Sequence, residues 1–239
     1  MLAAVSAPLR SARAAAAPAD SLPQPSALEN TLGLDFSSFT STRSLVTLGL
    51  GAGLAAWAWE ETDENFPPLK EALDKSFLDP FLDFGNLYGS GLVVGGGSAA
   101  LIGLGRATGN EGMATTGTDL ARAFVHSAAL CWVLKVSVNR TRPSGGPYSF
   151  PSGHTTSAFS TVAPVWHHAG WGPGLGATVA ATLAGIGRME ENRHYLSDVI
   201  AGAVLGLVTG WAVIDHRREL ELLDHVVVGG DVIGLAWRF

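Results

Sequence analysis

Three short clusters hold most of the residues whose chemistry stands out in this sequence. They are Lys135 with Arg142 and Pro143, then Pro151-Ser152-Gly153-His154, then Arg188 with His194 and Asp198. Each cluster lies at the end of an apolar run, and runs that pack as antiparallel neighbours bring these ends to one face of a helical bundle. The sequence therefore predicts a single site built from three separate segments.

Positive charge is concentrated in these clusters, although the chain as a whole has a formal net charge of -6. Arg side chains such as Arg142 and Arg188 match the oxygen geometry of a phosphate group, and Lys135 adds a third positive charge. Ser152 and Gly153 precede a predicted helix, so their N–H groups and the positive helix end would point at the same anion. This combination predicts an oxyanion pocket.

The third cluster also contains a candidate nucleophile. His194 and Asp198 stand four residues apart, about one helical turn, so the carboxylate can hold one imidazole nitrogen and leave the other free to attack. His154 then remains as a proton donor to the leaving oxygen and later as a base for water. These residue types predict nucleophilic transfer of an oxyanion group.

The spacing of the clusters resembles the three signatures of the type 2 phosphatidic acid phosphatase (PAP2) superfamily. Lys135 is separated from Arg142-Pro143 by six residues, Pro-Ser-Gly-His is intact at 151–154, and His194 follows Arg188 and precedes Asp198 at the family's intervals. The resemblance covers residues from about 43 to 215. It implies an all-α, six-helix bundle, transmembrane, with the three motifs at one membrane face.

The same resemblance implies a metal-independent phosphatase with no cofactor, acting through a phosphohistidine on His194. Asp198 would orient His194, and His154 would protonate the leaving group. The resemblance also implies that five residues hold the phosphoryl oxygens. These are Lys135, Arg142, Ser152, Gly153 and Arg188. The expected substrate is a phosphorylated lipid or a small phosphoester.

The sequence departs from the family pattern at two places: the first removes a possible hydroxyl contact but no catalytic group, and the second bears on the substrate. Gly187 stands where the family commonly has Ser, and the segment 189–193 is more polar than in many membrane members. A soluble, exported acid phosphatase with the same chemistry therefore stays an alternative. A vanadium-dependent haloperoxidase and a non-catalytic lipid-binding protein are further alternatives.

Apolar runs separated by polar breaks predict the elements that position these residues. The runs cover 45–59, 87–105, 121–138, 155–166, 175–187 and 199–214. Several are shorter than the roughly 20 residues that a bilayer-spanning helix needs, so length alone leaves spanning open. Small residues at four-residue spacing, Gly49 and Gly53 or Gly202 and Gly206, predict close helix contacts.

The boundaries of the predicted bundle follow from composition. Residues 1–42 form a flexible or targeting leader, 43–218 the six-helix phosphatase domain, and 219–239 a tail with a possible short β-hairpin around 229–231. Between the first two runs, apolar residues at four-residue spacing from Leu69 to Phe81 predict an amphipathic helix that lies on a membrane surface or packs, solvated, on the bundle.

Charge and composition set the class of protein and its orientation. Charged residues make up 15% of the chain, below the roughly 25% of soluble domains, which favours a membrane protein. The acidic balance argues against nucleic-acid binding. Lys and Arg outside the pocket are more frequent on the face away from the motifs, which predicts an active site facing the periplasm or exterior. Arg140 and Arg193 are expected mainly at helix ends or on the surface.

Overall fold

The protein is described here from a computed structural model that covers residues 38–63, 77–224, 226–229 and 232–235. The helices are α1 (Thr42–Glu61), α2 (Asp79–Tyr88), α3 (Gly91–Thr108), α4 (Glu111–Val138), α5 (Gly153–Ser160), α6 (Val162–Ala169), α7 (Trp171–Glu190) and α8 (Leu196–Asp224). Two short strands, β1 (Val226–Gly229) and β2 (Val232–Leu235), pair antiparallel with Val226 opposite Leu235. They lie where the sequence predicts a hairpin.

The all-α prediction is confirmed, and each of the six apolar runs falls on helix. Two runs are broken. The helix pair α2 and α3 bends by 58°, because Ser90 starts a new helix by accepting the N–H of Val93 on its hydroxyl at 3.2 Å. Helices α5 and α6 meet at Thr161, since Pro164 lacks the N–H that would continue the helical ladder to Ser160.

Two helices within the described residues are long and apolar enough to cross a bilayer. They are α4 and the part of α8 from Leu196 to Arg218, and the bent pair α2–α3 adds a third if it counts as one span. Large apolar side chains point outward from these helices and from α1, including Leu50, Leu92 and Val133 at 67%, 85% and 63% exposure. The outer surface is therefore suited to lipid.

Helix α8 packs closely on α5 through a stripe of glycines. A Cβ atom on Gly202 would lie 2.7 Å from the Ser152 carbonyl oxygen, and one on Gly206 would lie 2.5 Å from that of Thr156. The predicted contact at Gly202 and Gly206 is confirmed. The prediction for Gly49 and Gly53 is wrong, because both face open space.

A buried ion cluster fastens the bundle at the end away from the three motifs. Asp119 of α4 is fully buried and accepts from Arg217 of α8 at 2.6 Å, and it lies 2.8 Å from His168 of α6. Asp119 lies sixteen residues before Lys135, about 24 Å along the helix. The predicted leader and amphipathic segment fall largely on residues 1–37 and 64–76, outside the described residues.

Candidate active site

The three motifs meet around a cavity of about 200 Å³ at one end of the bundle. Six of the eight predicted residues lie in its walls: Lys135, Arg142, Gly153, His154, Arg188 and His194. Glu191 and Arg193 complete the lining. The prediction of a single site therefore agrees with the geometry, and the roles of the residues remain predictions.

Helix ends bring these side chains together. Lys135 lies in the last turn of α4, Arg188 in the last turn of α7 and Asp198 in the first turn of α8, while Gly153 begins α5. Asn139, in the left-handed conformation with φ 45°, ends α4 and starts the loop that carries Arg142. The positive end of α5 faces the same cavity, so its first N–H groups are available to an anion.

His194 lies directly against Asp198. The His194 Nδ1 atom is 3.5 Å from Asp198 Oδ2, longer than the roughly 2.7 to 3.2 Å of a good N–H···O bond. Such contacts are often long before substrate binds. With Nδ1 on the carboxylate, Nε2 is the nitrogen left for the cavity.

Asp198 is fully buried and held by several donors. Its Oδ2 accepts from the Ser149 hydroxyl at 2.5 Å and from the Tyr195 N–H at 2.9 Å. Its Oδ1 accepts from Arg140 Nη1 at 2.9 Å. A buried carboxylate needs such partners, and together they fix its orientation toward His194.

Lys135 has both a structural contact and a free donor. Its Nζ donates to the carbonyl oxygens of Tyr148 at 2.8 Å and Pro151 at 2.6 Å. An ammonium group has three N–H donors, so one remains for an anion in the cavity. Lys135 therefore holds the loop before α5 and also contributes a positive charge to the cavity.

Arg188 is paired with an acidic residue of the cavity wall. Its Nη2 donates to Glu191, whose other carboxylate oxygen accepts from Asn86 Nδ2 at 2.7 Å. The same Asn86 explains the departure at Gly187, because a Cβ there would lie 2.7 Å from the Asn86 side-chain oxygen. The polar segment 189–193 thus gives the pocket a carboxylate next to its Arg.

Ser152 differs from expectation. Its main-chain N–H donates to the Asp198 carbonyl at 2.9 Å, and its hydroxyl accepts from Thr155 at 2.9 Å. The side chain is fully buried and does not line the cavity. The expectation that its N–H points at an anion is corrected: Ser152 joins α5 to α8, and Gly153 and His154 are the residues of this motif that reach the cavity.

Both histidines have lowered pKa values. Burial and then the nearby charge of Arg188 lower the pKa of His154 to about 4. Burial also lowers the pKa of His194, against the opposing effect of its contact with Asp198. Both rings are therefore neutral near pH 7 in the unliganded protein, which suits a nucleophile at His194.

Sequence reasoning missed three residues that contact the site. The sequence predicts Arg140 mainly at a helix end or on the surface, yet its side chain is 13% exposed and binds both Asp63 and Asp198. Ser149 binds Asp198. The position of Arg140 between Lys135 and Arg142 was an available signal, whereas nothing in the sequence connects Asp63 to a motif so far along the chain.

Within the described ranges, no three His, Cys, Asp or Glu side chains form a group suited to a metal ion.

A second cavity of about 290 Å³ adjoins the first and shares Lys135, Gly153 and His154 with it. Its remaining walls are mainly apolar and include Phe124 and Trp132. The polar cavity therefore adjoins an apolar groove bordered by α4 and α5.

Comparison with known sequences places two of the three motifs in a described family. Residues 144–220 match the PAP2 superfamily. The lipid A 1-phosphatase of Porphyromonas gingivalis is 42% identical over 82 residues, which is 32% of this chain and 18% of that protein. This chain therefore spans only a small part of the length of that relative.

Solved structures share the fold. A transmembrane PAP2-type phosphatidylglycerolphosphate phosphatase from Bacillus subtilis aligns with a TM-score of 0.56 and 22% identity, over 78% of this chain and 97% of that one. Aquifex aeolicus LpxE aligns with a TM-score of 0.49 and 23% identity, over 70% and 95% of the two chains. The Bacillus structure supports the fold assignment.

Proposed function

We propose that this chain, which matches the PAP2 superfamily over residues 144–220, is a metal-independent phosphatase of that type and hydrolyses a phosphate monoester or diphosphate of a membrane lipid. The observation that carries the proposal is the cavity that joins Lys135, Arg142 and Arg188 to His194 and His154. Phosphoryl transfer depends chiefly on positioning and on neutralising charge at the phosphoryl oxygens. Fixed cations in a partly enclosed cavity meet both needs.

In the first step, His194 Nε2 attacks phosphorus while Asp198 holds the Nδ1–H. The bond from phosphorus to the leaving oxygen breaks, and that oxygen takes a proton from His154. The bound phosphoryl group favours the charged imidazolium of His154, so binding raises its pKa from the low value of the empty site. The other phosphoryl oxygens face the cations and the first N–H groups of α5.

In the second step, water attacks the phosphorus of the phosphohistidine. His154, neutral after the first step, accepts a proton from this water. The phosphorus–nitrogen bond breaks, and inorganic phosphate leaves. His194 returns to its neutral form with its proton still on the Asp198 side.

The apolar groove supports a lipid substrate. Because it adjoins the phosphate cavity at Lys135 and His154, a lipid chain can lie in the groove while its phosphate lies among the cations. The named activities of the Porphyromonas and Bacillus proteins are both on phosphorylated lipids. We place the chain in the membrane, with the motif end toward the periplasm or exterior.

Phosphate release tests the proposal. Membrane and soluble fractions are assayed with EDTA on a panel of lipid and water-soluble phosphates, for the wild type and His194→Ala. We expect EDTA-resistant release from lipids in the membrane fraction only, lost in the variant. Equal release from soluble esters by a detergent-free soluble fraction would instead support the exported acid phosphatase.

A further inference from the structure

Arg140 forms a bridge between two buried carboxylates next to the proposed nucleophile. Its Nη1 donates to Asp198 Oδ1 at 2.9 Å, and its Nη2 donates to Asp63 Oδ2 at 2.9 Å. The Asp63 and Asp198 side chains are 1% and 0% exposed. One guanidinium thus neutralises part of the charge of two carboxylates that water does not reach.

The guanidinium is also fixed in its plane. Its central carbon lies 3.6 Å from the centroid of the Trp59 ring and 3.9 Å from that of Tyr195. Such stacking suits the planar guanidinium of Arg and not the ammonium of Lys. Arg140 therefore has one orientation, with one donor arm toward each carboxylate.

Further contacts join this bridge to Ser197, three residues after His194, and to Ser149 in the loop before α5. Arg140 Nη1 donates to the Ser197 hydroxyl at 2.7 Å, and Asp63 accepts the Ser197 N–H at 3.3 Å. The Arg140 carbonyl accepts the N–H of Ser149 at 2.8 Å, and the Ser149 hydroxyl donates to Asp198. Both oxygens of Asp198 thus depend on Arg140, one through its side chain and one through its backbone.

We propose that Arg140, held between Asp63 and Asp198, is a positioning residue that sets the orientation and basicity of the Asp198–His194 pair. The inference rests on the proposed function. Arg140 does not line the phosphate cavity, so it acts through Asp198 and not on the substrate.

The electrostatic consequence has a definite sign. Charged and titratable groups surround the pair on the neighbouring elements: Asp63 after α1, Lys135 on α4, Arg140 and Arg142 in the loop after α4, His154 on α5, Arg188 on α7, and Glu191 and Arg193 in the segment after α7. Of these cations, only Arg140 is bonded to the Asp198 carboxylate. Removing the Arg140 charge leaves the negative charge of that carboxylate less compensated, which favours the protonated form of His194.

Arg140→Gln tests the inference in purified, detergent-solubilised protein. We expect kcat to fall by about 10- to 100-fold with KM changed by less than about threefold. We also expect the acid limb of the kcat pH profile to move upward by at least about 0.5 pH units, since His194 must be neutral to attack. Asp63→Asn removes a negative charge from the same bridge and should move the limb downward.

Two further variants separate positioning from folding. Arg140→Lys keeps the charge but cannot reach both carboxylates, so it should keep the limb near its wild-type position while kcat falls. Arg43→Gln is the matched control: Arg43 lies 5.6 Å from the Trp211 ring centroid and 3.3 Å from Asp215 at the other end of the bundle. It should leave kcat and the limb unchanged.

Titration of His194 by NMR in histidine-labelled protein, with His194→Gln for assignment, gives a readout that needs no turnover. The inference is overturned if Arg140→Gln leaves the titration of His194 at its wild-type position, or if kcat falls only in proportion to the folded fraction. If the wild type releases no phosphate, the proposed function fails, and the titration alone decides the role of Arg140.

Discussion

Glu191 places a carboxylate in a cavity that otherwise favours anions. It binds Arg188, so an incoming phosphate must compete with it for that guanidinium. Glu191→Gln should lower the inhibition constant of inorganic phosphate by up to about fivefold, the range of an exposed ion pair. Inhibition kinetics measure this. Glu190→Gln makes the same charge change one residue away, and an equal effect there would show that only net charge matters.

The low pKa of His154, about 4, also predicts how stability depends on pH. A histidine pKa depressed by folding contributes stability above the ordinary value of about 6.5, and this contribution is lost as pH falls toward the folded value, because the unfolded chain binds the proton more readily. Between about pH 7.5 and about pH 5, wild-type Tm should fall more than that of His154→Asn. Equal falls in the two proteins would contradict this assignment.

The sequence predicts individual residues best where their spacing along a helix fixes their geometry. His194 and Asp198 lie one helical turn apart, so local geometry brings them together. The sequence wrongly predicts that the Ser152 N–H faces an anion, because only the fold shows that it donates to the Asp198 carbonyl. Arg140 was underrated because its second partner, Asp63, lies far away in the chain.

At the scale of elements, the site depends on the close contact between α5 and α8. Helix α5 carries Gly153 and His154, and the first turn of α8 carries Asp198. Gly206→Ala would place a Cβ 2.5 Å from the Thr156 carbonyl oxygen, so the helices must separate. We expect a loss of about 1 to 3 kcal/mol in the free energy of unfolding and a lower kcat.

Gly97→Ala provides the matched control, because a Cβ at that helical glycine meets nothing within 4 Å. It should be neutral or stabilising by up to about 1 kcal/mol. Denaturation and activity assays on both variants test the contact. Equal stability of the two would contradict the close packing.

The apolar runs predicted where helices lie better than how they contact each other. Gly51, and not Gly49 or Gly53, faces α8, since a Cβ there would meet the Val204 side chain at 2.2 Å. The two helix breaks depend on single residues, Ser90 and Pro164, inside stretches that the sequence predicts as single runs. The amino-acid composition indicates where a helical stretch lies but does not indicate where the helix breaks.

For the whole molecule, orientation in the membrane is the property to test. The site lies at one end, and the buried Asp119–Arg217 cluster lies at the other. In a Cys131→Ser background, Ser144→Cys marks the motif end and Arg106→Cys the other end; both native residues are exposed. An impermeant maleimide on intact cells should label the first only. Labelling of Arg106→Cys alone would show the opposite orientation, with the motif end toward the cytoplasm.

The central claim is that phosphate passes through His194, and trapping the phosphoenzyme tests it most directly. Wild-type protein, His194→Ala and the distant control His167→Ala are mixed with a lipid carrying a ³²P-labelled phosphate, quenched in alkali within a single turnover and separated from lipid. We expect alkali-stable, acid-labile label on the wild type and on His167→Ala, and none on His194→Ala. Label retained on His194→Ala, or turnover by the wild type without any labelled protein, would contradict the account.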